Sequence, residues 1–301
     1  MILENPFAIE GRWFKGNLHT HTTNSDGDRS PVQIVEHYRN QGYDFLFITD
    51  HNRVTEVRGL SSADFLVLPG AELSAKGDEA RNGYHLVALN IGDTEGLSPD
   101  LEAQEVIDRV REKGGEVVVA HPYWSALTIH DLLRLEGYIG LEIYNTSCFY
   151  SIAKGHSLVY WDALLARGCR VWGIAADDVH WHFNDHRPND ACGGWIMVKA
   201  PALTVDNILA ALRQGHFYAS NGPTIEAIRM GEQSITAQAS KSRSINFIAD
   251  GSRGESFTSL DGRPLSWAEF TPAGKEKYLR VECIRADGTA AWSNPLWLGE
   301  R

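Results

Sequence analysis

Short apolar runs that break off at a histidine or a carboxylate recur between residues 45 and 180 of this chain. Phe45 to Thr49 ends in Asp50-His51-Asn52, and Phe65 to Leu68 leads into Pro69-Gly70-Ala71-Glu72. Glu116 to Ala120 ends in His121-Pro122, Ile139 to Ile143 in Tyr144-Asn145, and Arg170 to Ala175 in Ala176-Asp177-Asp178-Val179-His180. A continuous apolar strand is buried on both faces, and such strands belong to parallel sheets covered by helices. Helix signals lie between them. Ser30-Pro31 opens a helix through Gln41, with Ser as N-cap and Pro in the first turn. Val32, Val35 and Tyr38 supply its apolar face and Gly42 closes it. Further helices are expected over about Pro99 to Lys113, Ile129 to Leu135, Leu158 to Arg167 and Thr204 to Gln214, with strands at Tyr84 to Ile91 and Trp195 to Val198. Strand and helix alternate, so the fold class is α/β, and in a barrel of such units function gathers where the strands end.

Past Gly222-Pro223 the texture changes. Thr224 to Met230, Ser244 to Ala249, Tyr278 to Arg285 and Ala290 to Leu298, separated by Gly, Asp and Ser turns, read as antiparallel strands. The expected division is a barrel over residues 1–221 and a small antiparallel β-sandwich over residues 222–301.

With 301 residues and 43% hydrophobic content, the chain can bury a sizeable core. A formal net charge of −11 argues against long nucleic acid as a partner, since phosphate contacts need clustered Lys and Arg. Part of the acidic excess fits bound cations. Cys148, Cys169, Cys192 and Cys283 show no C-x-x-C spacing, which suits reduced thiols in a cytoplasmic protein. The first residues lack the pattern of a signal peptide and no window approaches a membrane span, so no membrane partner is expected. Nothing in the sequence speaks to an oligomeric state.

The chemistry gathers around His19 and His21. On the strand that runs from Trp13 to Thr20, residues separated by one other project from the same face, so the pair can grip one cation. Asp26 follows in a Ser-Asp-Gly turn. A lone histidine is more often packed than ligating, and the case builds by accumulation. Glu72 lies between Ala71 and Leu73 after an apolar strand, where an unpaired carboxylate is costly to bury. His85 follows Gly83-Tyr84 and serves either ligation or packing. His121 is aimed outward by its strand. Of the adjacent pair Asp177 and Asp178, the D-x-H spacing selects Asp178, which leaves Asp177 and Asp50 to orient ligands. Imidazole plus carboxylate without thiolate suits Zn, Mn or Fe. Glu142 and Asn145 either orient a ligand, touch substrate or serve only the strand end. His182, His186, Arg53, Arg81 and Arg187 lie in loops expected to line the mouth. Arginine is the usual fork for a phosphate, with Arg81 the first choice, and His182 is a candidate to protonate a leaving group.

The pattern His19-x-His21 with Asp26, Asp50-His51-Asn52, Gly70-Ala71-Glu72, His85, Ala120-His121-Pro122 and Asp178-x-His180 resembles the PHP (polymerase and histidinol phosphatase) superfamily of metal-dependent phosphoesterases, over about residues 14 to 220. Tyr218 to Pro223 looks like the carbaryl-hydrolase-like (CehA/McbA) branch. The resemblance implies a distorted (β/α)7 TIM-like barrel and two to three divalent metal ions. His19, His21, Glu72 and Asp178 would hold the first. Glu72 would bridge to a second completed by His85 and His121, and Asp26, His51 and His180 would hold the third. Paired metals ~3.5–4 Å apart can activate a bridging water and clamp both oxygens of a displacement. The expected function is therefore a phosphoesterase acting on a small phosphorylated metabolite or nucleotide. Its expected catalytic groups are Glu72, Asp178 and His182, with Arg81, Asn145 and Arg187 on the substrate. One alternative is a carbamate, ester or amide hydrolase attacking a carbonyl carbon with the same activated water. The other is a non-catalytic binding scaffold, disfavoured because a competent residue fills every ligand position.

Overall fold

The computed structural model describes residues 5–76 and 83–298. It is a mixed α/β structure. In chain order the first part comprises β1 (Arg12–Asn17), α1 (Pro31–Asn40), β2 (Phe45–Ile48), β3 (Leu66–Ala75), β4 (Tyr84–Leu89), α2 (Ala103–Glu112) and β5 (Glu116–Val119). It continues with α3 (Ile129–Leu133), β6 (Gly140–Asn145), α4 (Thr146–Ile152), α5 (Leu158–Ala166) and β7 (Trp172–Ala176). β8 (Trp195–Ala200), α6 (Val205–Gln214) and β9 (Phe217–Ser220) follow.

Local chemistry fixes these elements. Ser30 and Gln33 form a reciprocal capping box at α1, with Pro31 in the first turn. The face α1 buries is Ile34, Val35 and Tyr38, whereas Val32 is exposed. Thr204 caps α6, and Gly215, with φ of 70°, ends it in the left-handed conformation that glycine adopts without strain. α4 was not expected: seven residues are too few to show a helical period. It is capped by Asn145 and terminated by left-handed Ala153.

The expected parallel sheet is mixed. β1–β2, β2–β3, β5–β6 and β6–β7 pair parallel, but β4 runs antiparallel to both β3 and β5. The reason is the link: β3 ends at Ala75 and β4 starts at Tyr84, too near for a parallel crossover, which takes about a dozen residues or more. The alternation is also incomplete, since among the described residues no helix lies between β2 and β3 or between β7 and β8. The ring closes where the chain leaves β1 and β7: Asp178 N–H donates to His19 O and His21 N–H to Val179 O, both at 3.1 Å.

β8 pairs antiparallel with the other edge of β1 and leads the sheet out of the barrel. Through β9 the sheet joins β16 (Ala290–Ser293), β15 (Tyr278–Ile284), β12 (Ser244–Ala249) and β13 (Gly254–Thr258), with β17 (Leu296–Trp297) on β15, to give fourteen strands. A second sheet of β10 (Ile225–Met230), β11 (Ile235–Ser242) and β14 (Leu265–Phe270) covers it. Ile228, Ala237 and Phe270 of the small sheet meet Phe247, Leu279 and Val281 of the large one in a shared core, so this part is an antiparallel β-sandwich. No described helix is long and apolar enough to cross a membrane.

Candidate metal centre

The barrel mouth collects ligands from seven places in the chain. His19 and His21 follow β1, Asp26 sits in the next turn, His51 follows β2, and Glu72 is within β3. His85 is near the start of β4, and because β4 is reversed its first residues face the mouth. His121 follows β5, while Asp178 and His180 follow β7.

Their donor atoms form three groups. In the first, His19 Nε2 lies 3.2 Å from Glu72 Oε2 and from Asp178 Oδ1. His21 Nε2 lies 3.2 and 3.1 Å from the same two oxygens. In the second, the other oxygen of Glu72, Oε1, meets His85 Nδ1 at 2.7 Å and His121 Nε2 at 3.0 Å. In the third, Asp26 Oδ2 stands 3.5 Å from both His51 Nε2 and His180 Nε2, and Asp26 Oδ1 stands 3.7 Å from His21 Nδ1. His21 therefore belongs to two groups, and Glu72 spans the first two.

These residues fit divalent cations. The Nε2 atoms of His19 and His21 face each other at 3.1 Å, and Glu72 Oε2 is buried with no hydrogen bond despite three imidazoles around it. A positive ion at their shared focus satisfies all of them at once, whereas a buried unpaired carboxylate oxygen is costly. Electrostatics agree. Burial alone depresses His21, but its close contacts with the Asp178 and Glu72 carboxylates and their charges outweigh it and raise its pKa to about 9. Burial likewise opposes the shift at His19, and Asp178, Glu72 and Glu142 overcome it and hold the ring well above its usual value. Without a cation the carboxylates therefore keep protons on the imidazoles. Cation uptake displaces those protons, so it strengthens as pH rises.

A further layer of contacts aims the ligands. Buried Glu142 accepts from His19 Nδ1 at 2.7 Å, which puts the proton on Nδ1 and leaves the Nε2 lone pair facing the centre. Its other oxygen accepts from His121 N–H and from Asn145 Nδ2, both at 2.8 Å. Asn145 was expected on substrate. It is instead enclosed, bonding Glu142 and Asp178 through its amide nitrogen and capping α4 through its oxygen. Asp50 and Asp177, expected to orient ligands, touch no ligand ring directly; Asp50 reaches His21 through Ser25, whose Oγ lies 3.4 Å from His21 Nδ1. Asp50 accepts from Thr22 N–H and Ser25 Oγ, both at 2.7 Å, and from Thr55 Oγ1, shaping the turn that carries Asp26. Asp177 accepts from Tyr38 OH and from the backbone N–H groups of Cys192, Gly193 and Gly194, pinning the loop after β7. His121 and Asp178 have φ of 26° and 55°, a region non-glycine residues rarely enter.

Above the ligands opens a cleft of about 340 Å³. Its remaining lining is Trp124, the face of α4 from Ser147 to Ile152, His182 and Arg187. Arg187 donates from Nη2 to Ser147 Oγ at 2.9 Å. His182 lies at the rim, its ring 5.5 Å from that of His180. Arg53 is exposed and spent on Asn24 O, His186 is exposed, neither lines the cleft, and Arg81 lies outside the described residues. Trp124 and Cys148 went unread. The one sequence sign of the first is its place three residues after His121. Nothing marks Cys148, whose Sγ lies 3.9 Å from Asp178 Oδ2.

No family model matches the chain. Over 109 residues it is 28% identical to an uncharacterized protein of Methanocaldococcus jannaschii; the match covers 36% of this chain and 40% of that relative's length. A two-domain protein from Bacteroides vulgatus, described as containing a predicted PHP-like metal-dependent phosphoesterase, superposes with a TM-score of 0.54 at 16% identity, covering 95% of this chain and 96% of the other. This chain has the PHP-like fold. An amidohydrolase from Chromobacterium violaceum is similar over 55% of this chain and 87% of its own at 16% identity, with a TM-score of 0.43, too low to establish a common architecture. In the PHP-like barrel described here, all three ligand groups lie at one mouth.

Proposed function

We propose that this chain is a metal-dependent hydrolase that cleaves phosphate esters of small metabolites or nucleotides. The observation that carries the reading is the sharing of Glu72 between two ligand groups and of His21 between two, which supports cations bound side by side. Divalent ions bound so close together supply Lewis acidity toward a phosphoryl oxygen and lower the pKa of water. Three roles fall to the chain's own residues. Glu142 and Asn145 keep His19, His121 and Asp178 aimed. Arg187 takes an anionic oxygen of the ester through its guanidinium fork. His182, at the rim, holds the proton that the departing oxygen needs. The four cysteines are free thiols, which supports placement in the cytoplasm.

The test combines elemental analysis with a substrate comparison on the purified protein supplied with Mn or Zn. Turnover of p-nitrophenyl phosphate or its bis ester, but not of p-nitrophenyl acetate, supports the reading. The reverse selectivity points to carbonyl chemistry. No turnover with any metal, beside saturable binding of a glycan or protein, points to a scaffold. Glu72→Gln is expected to lower bound metal and activity together; unchanged metal content would remove Glu72 from the ligands.

A further inference from the structure

We propose that the substrate carries one phosphoryl group esterified to an apolar, ring-bearing alcohol, whose ring is held between Trp124 and Ile152. This rests on the phosphoesterase reading above. The ligand groups form the floor of the cleft, and the walls decide what else fits. Sugars are recognised through Asp, Glu, Asn and Gln side chains, which pair with neighbouring hydroxyls. Among the described lining residues the only members of that set are Asp26, Glu72 and Asp178, and all three belong to the ligand groups. Asn145 is buried and committed at both ends. The two serines are engaged as well: Ser147 accepts from Arg187, and Ser151 donates to Cys148 O.

The walls are apolar instead. The Trp124 ring stands 5.0 Å from the ring of His121 and 5.9 Å from that of His85, so it borders the second ligand group. Ile152, at the end of α4, is 56% exposed on the cleft wall and gains by being covered. A concave site with one aromatic and one aliphatic wall and few uncommitted polar groups matches an apolar ligand portion. Charge sets the number of phosphoryl groups. Arg187 is the one Arg or Lys among the described lining residues, and its buried Nε has no hydrogen-bond partner. One guanidinium, whose Nη2 already donates to Ser147 and stands 3.8 Å from buried Asp190, matches at most one phosphoryl group.

Steady-state kinetics on the full-length, metal-loaded protein test this with benzyl phosphate and glycerol phosphate. Both release an alkyl alcohol, so their ratio reports the cleft wall and not the leaving group. We expect kcat/KM for benzyl phosphate to exceed that for glycerol phosphate by about tenfold, the discrimination that burial of one ring supplies. The ratio should fall toward unity in Ile152→Ser and in Trp124→Ala. Elemental analysis of Trp124→Ala checks that His85 and His121 still hold metal; if they do not, the Ile152→Ser ratio decides. Independently of turnover, benzylphosphonate should raise the melting temperature at lower concentration than methylphosphonate. A hexose bisphosphate should be a poorer substrate than its monophosphate. Glycerol phosphate equalling benzyl phosphate, a ratio that survives both substitutions, or a preference for the bisphosphate would overturn the inference while leaving the phosphoesterase reading intact. Hydrolysis of p-nitrophenyl acetate without hydrolysis of any phosphomonoester would remove both.

Discussion

Glu142 shows how one residue behind the ligands governs several of them. Its carboxylate holds His19 through one oxygen and the His121 backbone and Asn145 through the other. In Glu142→Gln the amide nitrogen must replace one of those oxygens, and whichever side it takes meets a group that is itself a donor. We expect metal affinity, measured by competition with a chelator, to fall about 10- to 100-fold. The accompanying loss of stability should be only about 1–3 kcal/mol, the cost of one unsatisfied buried partner. Equal affinity in the variant would show that His19 and His121 are aimed without Glu142. Most members of the three groups were legible in the sequence because they end an apolar run, so their polarity stands out against their neighbours; Asp26, in a polar turn, carries no such mark. The contacts through which Asp50, Asp177 and Asn145 act were not legible. Their partners, such as Thr55, Tyr38 and Gly194, are neighbours only after folding, and a carboxylate next to a ligand in sequence looks the same whichever way it points.

Among the elements, α4 and the loop after β7 form one unit. Thr146 Oγ1, at the start of α4, and Gly194 N–H both bond Asp177 Oδ1, at 3.1 and 2.7 Å. A Cβ at Gly194 would come within 2.7 Å of Ala176 O, so the backbone must shift. Gly194→Ala should therefore destabilise by roughly 1–3 kcal/mol, the usual penalty of overpacking, read as a lower melting temperature. Because Arg187 lies in that loop, the Ki for inorganic phosphate should rise with it. An unchanged melting temperature would mean that the loop yields freely. The barrel strands and longer helices were readable from period and caps, whereas β9, β11, β13 and β14 were not read. The reversal of β4 was not read from its residues, since an apolar strand carries no mark of direction. Only the short spacing from β3 carried that information, through what a crossover requires.

At the scale of the whole molecule, the sheet that begins at the mouth continues through β9 and β16 into the sandwich. The seam is held by buried Arg280, which reaches from β15 to Asp162 of α5 with two hydrogen bonds of 2.9 and 2.8 Å and lies over the Trp161 ring. A shared sheet and a shared ion pair predict one cooperative unfolding transition, coincident by circular dichroism and tryptophan fluorescence. Asp162→Ala leaves the guanidinium with only the Glu282 carboxylate, 3.7 Å from Nη1. Since Asp162 is partly exposed, water recovers some of that loss, and we expect about 1–3 kcal/mol of destabilisation within a single transition. Two separated transitions would show that the barrel and the sandwich unfold independently. The change of texture at Gly222-Pro223 says nothing of this continuity, because strand partners so far apart leave no local pattern.

His21 contributes a different ring nitrogen to each of two ligand groups. A neutral imidazole has one lone pair to give, and its second nitrogen keeps a proton. The ring cannot serve both positions fully at once, so occupancy of one weakens the other. Cations should then load in order. Were all three groups to bind cations, the group of Asp26, His51 and His180, with half-exposed Asp26, would be the one to give up its ion as supply falls.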